Sequence, residues 1–182
     1  MPPQQTGRPH PLPDRANDLW ALYREAEAHS DNARILVTLC GFLGCRISEA
    51  LTVTGADIDL EDKWVSVFGK GDKWRQVPLT DDLIDMLGPR VHQEGRLVTF
   101  SERHARRVIT QLGEAAGIGR PISSHDLRHT AGSNWFAASR DIRVVQELLG
   151  HADVRTTQLY TGIKEDSLRE TVEAAATKGS DT

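Results

Sequence analysis

Long apolar runs, cysteines and a surplus of positive charge are all in short supply in this 182-residue chain. No stretch approaches the roughly 18 consecutive apolar residues that a membrane-spanning helix needs. Met1 is followed by Pro2 and Pro3 rather than by the basic and apolar segments of an export signal, so neither membrane insertion nor secretion is expected. The two cysteines, Cys40 and Cys45, lie five apart in one helical pattern, where they project in different directions and cannot bridge; a reducing compartment fits. Net charge is −4, which runs against the basic footprint usual for phosphate binding. Proline is concentrated at the start, at positions 2, 3, 9, 11 and 13, and is sparse afterwards.

What is present points to one domain with a charged working surface. Hydrophobic residues make up 38% of the chain and charged residues 26%, enough apolar material for a core in a single domain of roughly 150 residues. Between Phe100 and Tyr160 the charge balance reverses: every cation is an arginine (103, 106, 107, 120, 128, 140, 143 and 155), and arginines outnumber acids. The planar guanidinium fork holds a phosphate through two hydrogen bonds, where lysine offers a point charge.

The proline-rich residues 1–13 read as a linker or arm, with the folded part beginning near Asp14. Asp14 is placed to cap a first helix and Asp31 a second that runs through Leu36 to Leu43, followed by a short helix from about Arg46 to Leu51. Trp64–Phe68 and Arg75–Pro78 flank a glycine-rich turn and predict a β-hairpin with Lys70 at its tip. Thr80 or Asp81 starts a helix to Leu87, and Arg96–Phe100 is expected to add a strand. Ser101 caps a core helix with a basic outer edge that ends at Gly117. Helices follow from Ser124 to about Ala138, from Asp141 to Gly150, and near Val154 to Tyr160. A last one, 164–177, carries a narrow apolar stripe of Leu168, Val172 and Ala176, suited to a groove on its own or a neighbouring subunit. No internal repeat or low-complexity tract is present. The expected class is α+β, mainly helical with a small antiparallel sheet.

Several short segments carry chemistry. His125 and Arg128 stand three apart at the start of a helix and share a face. His125 and His129 have the spacing of a helical metal pair, but no nearby cysteine or acid supplies a third ligand, so no metal site is expected. Gly150 leaves His151 on a turn, with Tyr160 nine residues on. Arg46 sits among apolar neighbours in Gly44-Cys45-Arg46-Ile47-Ser48-Glu49 and needs a strong anionic partner, either Glu49 or a bound phosphate.

Together these segments resemble the tyrosine recombinases, or phage integrases. The arginine motif is matched by Gly44-Cys45-Arg46-Ile47-Ser48-Glu49 and the hairpin lysine by Gly69-Lys70-Gly71-Asp72-Lys73-Trp74-Arg75-Gln76-Val77-Pro78-Leu79. His125-Asp126-Leu127-Arg128-His129 matches the His-x-x-Arg box, and Leu149-Gly150-His151 through Tyr160 the last segment. The match runs over about residues 14–165. It implies a catalytic fold that breaks and rejoins DNA strands at specific sites through a 3′-phosphotyrosyl intermediate, integrating or excising a mobile element, without a cofactor or metal. The six implied catalytic residues are Arg46, Lys70, His125, Arg128, His151 and Tyr160, and DNA contacts are assigned to Lys73, Arg75, Arg103, Arg106 and Arg107.

The resemblance further implies double-stranded DNA as partner, a homotetramer on DNA, a monomer for the isolated domain, accessory directionality factors, and a place in the cytoplasm of a bacterial host. Members carry a separate N-terminal core-binding domain for which residues 1–13 are too short, so the expectation is a catalytic domain over 14–182 behind its linker. Ser139-Arg140 stands where the family often has a glycine. The rival readings are a type IB topoisomerase, which shares the phosphotyrosine step, and a catalytically silent DNA-binding domain.

Overall fold

A computed structural model describes residues 10–69, 71, 73–150 and 163–177. Helix starts follow local caps. The Asp14 carboxylate accepts from the Asn17 amide and opens α1, Arg15–His29. Ser30 closes α1 through its amide on the Ala26 carbonyl and opens α2, Asp31–Val37, through its hydroxyl on the Ala33 amide. The cap is therefore Ser30 and not Asp31, whose carboxylate instead pairs with Arg34 at 2.8 Å. The helix expected through Leu43 widens into a π-turn over Thr38–Phe42, all of it buried. Within this turn the α1 side chain Leu19 packs on Gly41, where any Cβ would lie 2.5 Å from it, so glycine allows the close approach of the two helices.

A four-residue helix, α3 (Ile47–Ala50), leads into a sheet of order β1-β2-β3, antiparallel throughout: Ile58–Asp59, Trp64–Gly69 and Lys73–Pro78. The hairpin is as expected and β1 is an added two-residue edge. Val65, Val67 and Val77 face the core, and Trp64, Ser66 and Phe68 alternate outward. Thr80 caps α4, Asp81–Leu87. The strand expected over Arg96–Phe100 does not form; a single bridge joins Arg96 to Thr54. Side chains have taken its backbone partners: Arg90 donates to the Leu97 carbonyl, and Asn32 accepts from the Thr99 amide.

Ser101 caps α5, Glu102–Ala115, which buries Ala105, Val108, Ile109 and Leu112 and exposes Arg103, Arg106 and Arg107. Ser123 and Asp126 form a capping box at the head of α6, Ser124–Ser139. That helix ends on Arg140 in the left-handed region, φ 55°, at the position where a glycine is usual. Asp141 caps α7, Ile142–Leu149, and Gly150 terminates it at φ 69°. The last helix, α8 (Glu165–Ala176), lies on α6, α7 and β3 of the same chain with Val172 buried, so its apolar stripe is seated in cis. Arg169 stacks 4.5 Å from the Trp64 ring centre and anchors it.

The linker expected over 1–13 is docked from His10 onward, while residues 1–9 lie outside the described residues. Leu12 is buried and its amide donates to the Thr130 hydroxyl; the His10 amide donates to the Asp126 carboxylate. Arg120 grips the carbonyls of His10 and Pro11, so the entering chain is bound along the first half of α6.

Candidate active site

Gly44 begins the site. Its φ of +63° turns the chain out of the π-turn, and a Cβ there would lie 2.8 Å from the Trp135 ring, so both the conformation and the space call for glycine. The turn presents the Gly44 carbonyl to solvent-poor surroundings and sets Arg46 at the head of α3. The Glu49 carboxylate reaches back to accept from the Arg46 amide at 2.8 Å, and its other oxygen pairs with the Arg46 guanidinium at 2.8 Å.

Glu49 is 3% exposed and serves two further arginines. Arg75, from β3, pairs with it at 3.0 Å, and Arg128, from the second turn of α6, stands 3.8 Å away. Arg128 Nη1 donates to the Gly44 carbonyl and its Nη2 to the Leu149 carbonyl at 2.8 Å. Arg75 Nε donates to the Leu148 carbonyl at 3.0 Å. Residues 46, 75 and 128 thus converge on one buried carboxylate, with three backbone carbonyls accepting from further donors of Arg75 and Arg128.

The electrostatics follow from this crowding. Burial and the neighbouring charges of Arg46 and Arg75 pull Arg128 down to about 10, which still leaves it protonated at neutral pH. Burial pushes the Glu49 carboxyl up, but its bond to Arg75 and its contacts with Arg46 outweigh burial and hold it below the usual range. Cys45, beside Arg46, is driven by burial to about 11 and is a packed thiol. Arg46 is the open member: its side chain is 35% exposed, and among the described residues only Nη1 is bonded to protein. Three cations around one anion leave the site net positive, with the unbonded donors of Arg46 left open, which suits a phosphate.

Of the expected catalytic set, Arg46 and Arg128 meet here, and His125 is exposed on the first turn of α6, three residues before Arg128. Lys70, His151 and Tyr160 lie outside the described residues, as does the helix expected near 154–160. Their described neighbours abut the cluster: a Cβ on Gly69 would lie 3.1 Å from the Glu49 carboxylate, and one on Gly150 would lie 2.9 Å from the Arg75 stem.

Among the expected DNA contacts, Lys73, Arg103, Arg106 and Arg107 are exposed. Arg75 differs: its side chain is 8% exposed and turned inward. The signal for this is the strand alternation, because Arg75 shares a face with Val77 and pairs in register with Val67. Glu49, legible from sequence only as a partner for Arg46, proves to be shared by all three. Among the described residues no group of three His, Cys, Asp or Glu is placed to hold a metal ion.

Comparison with known proteins places the chain in a family. Residues 14–166 match the phage integrase family. The chain belongs to that family. It is 36% identical over 137 residues to tyrosine recombinase XerC of Neisseria meningitidis, covering 69% of this chain and 45% of the relative. It is 31% identical over 179 residues to tyrosine recombinase XerD of Staphylococcus epidermidis, covering 87% and 61%. The chain thus spans about half the length of these relatives. The crystal structure of XerA recombinase superposes with a TM-score of 0.70 at 28% identity, covering 96% of this chain and 68% of that one. The mainly helical fold with its small antiparallel sheet is the family's catalytic fold.

Proposed function

We propose that residues 14–182 form the catalytic domain of a site-specific DNA recombinase that integrates or excises a mobile element. The observation that carries this reading is the convergence of Arg46 and Arg128, 82 positions apart in sequence, on the buried Glu49 with Arg46 left open to a ligand. Two guanidiniums held by fixed acceptors are preorganised for the oxygens of a phosphodiester, whose charge grows as phosphorus becomes pentacoordinate.

In the proposed reaction the Tyr160 phenol attacks phosphorus and passes its proton to His125. The bond from phosphorus to the 5′-oxygen breaks, and that oxygen takes a proton from Lys70. A 3′-phosphotyrosyl link and a free 5′-hydroxyl result. His151 donates to a non-bridging oxygen. The 5′-hydroxyl of a second strand then reverses the step, so the energy of the broken bond is kept. Lys73, Arg103, Arg106 and Arg107 contact the DNA backbone, and a tetramer assembles on paired sites with accessory factors setting direction. The expected place of action is the cytoplasm, and no helix among the described residues is long and apolar enough to cross a membrane.

The test is covalent capture. The protein is incubated with nicked duplexes carrying randomised arms, and the DNA that survives denaturation attached to protein is sequenced. An adduct at Tyr160 is expected, and Tyr160→Phe should abolish it while leaving duplex affinity within about threefold. Adduct formation by Tyr160→Phe at the normal yield rules the assignment out. Relaxation of supercoils with no dependence on paired sites favours the topoisomerase reading.

A further inference from the structure

We propose that Arg75 is a positioning residue that clasps the C-terminal end of α7 to the arginine site and so fixes the point from which the chain leaves Gly150. Arg75 connects three segments distant in sequence. Nε reaches the Leu148 carbonyl at the end of α7, and Nη2 reaches both Glu49 at 3.0 Å and the Gly44 carbonyl at 3.4 Å. Its aliphatic stem lies flat on Gly150, where even a methyl group would come within 2.9 Å of Cδ. In β3 it stands one residue pair beyond Phe68↔Trp74 from the Gly69↔Lys73 pair that flanks Lys70.

The last carbonyls of a helix have no partner within it and carry the negative end of its dipole. In α7 two successive ones are taken by two arginines, Leu148 by Arg75 and Leu149 by Arg128. The end of α7 is thereby fixed from two sides against the same carboxylate that orients Arg46. Residue 151 follows immediately. Because the Arg75 side chain is 8% exposed and its Nε and Nη2 are both held by protein, it acts through the residues it holds rather than through substrate. A lysine cannot replace it, since one ammonium cannot reach Leu148 and Glu49 in the two directions that the planar fork spans.

The clasp stands on the contacts alone, while its effect on strand cleavage rests on the recombinase reading given above. The test uses the whole chain with Arg75→Ala and the milder Arg75→Lys, which keeps the charge beside Glu49 and most of the stem should the alanine variant fail to fold. Hydrogen exchange of amides 145–150 should speed at least tenfold in Arg75→Lys, with amides 127–135 in α6 changing less than threefold. On a nicked duplex captured by the unmodified protein, the single-turnover rate of adduct formation should fall about 30-fold or more and duplex affinity less than threefold. Unchanged protection of α7 overturns the clasp. An unchanged adduct rate with a loosened α7 overturns the positioning role, and an affinity loss equal to the rate loss makes Arg75 a DNA contact instead. If the unmodified protein forms no adduct with any duplex, the recombinase reading fails and hydrogen exchange still decides the clasp.

Discussion

Arginines do two different jobs in this molecule, and the contrast lies between the cluster around Glu49 and the outer face of α5. In the cluster, Arg75 and Arg128 are nearly buried and bound to acceptors from other parts of the chain. On α5, Arg106 and Arg107 are exposed, and among the described residues their side chains bond only to Glu102 and His104, one turn away. The first arrangement demands a counter-ion and rigid backbone partners, because an unpaired charge out of water is costly. The second demands nothing, since exposed pairs one turn apart contribute at most a few tenths of a kcal/mol. Charge composition alone therefore says little about which arginines build a site; what they are bonded to separates them.

The sharpest way to break the comparison is to remove the shared anion. Glu49→Gln leaves three guanidiniums around a neutral amide and should destabilise the fold by about 3–5 kcal/mol, the range for breaking a buried pair, read from urea unfolding. A loss below about 1 kcal/mol would place the cluster with the surface pairs of α5.

Acid should reveal the same difference. Glu49 and Asp126 are held below their ordinary range in the fold, the first by Arg75 and Arg46, the second by Ser123, the His10 amide and Arg120, in each case against the upward push of burial. The unfolded chain therefore takes up these protons first. Their contribution is fully present above the ordinary carboxylate range near about 4 and is lost as pH falls through that range toward the lowered values. Melting temperature followed from pH 7 to pH 3 should drop, and in Glu49→Gln the drop should be shallower; an equal slope would assign the acid sensitivity elsewhere.

Two exposed arginines sharpen the other side. Arg140 is held in the left-handed region at the end of α6, so Arg140→Gly should raise stability by about 0.5–1 kcal/mol, the relief of the Cβ clash less the added freedom of the unfolded chain. Arg106→Ala should change stability by less than about 0.5 kcal/mol, while duplex affinity weakens uniformly across sequences and the salt slope falls by about 1. A destabilised Arg106→Ala protein would mean that the α5 face is structural.

Most features set within a few residues were legible beforehand, the α2 cap, Ser30 in place of the expected Asp31, being an exception. Asp14, Ser101 and Asp141 cap the helices that follow them, and Thr80 proves to be the cap of the two residues left open there, because a cap needs only a short polar side chain and the next turn of backbone. The hairpin follows from alternation around a glycine-rich turn. Arg46 and Arg128 stand in recognisable motifs. Features that involve a distant neighbour were not legible in this way: the π-turn at Thr38–Phe42 packs its Gly41 on Leu19, and the backbone at 96–100, expected as a strand, is bonded by Asn32 and Arg90. Arg75 is intermediate, since its inward direction can be read from alternation with Val77 but its partners cannot.

By itself, then, the amino-acid order carried the motifs that resemble the family, and determined most of the helices, several of their caps and the hairpin, since these depend on periodicity or spacing along the chain. Only the tertiary structure decided that Glu49 gathers Arg46, Arg75 and Arg128, that Arg75 faces inward, and that α8 lies on its own chain. The reason is that a buried guanidinium must find its carboxylate and its carbonyls in space, and those partners come from α3, the Gly44 turn and the end of α7, which packing alone brings together.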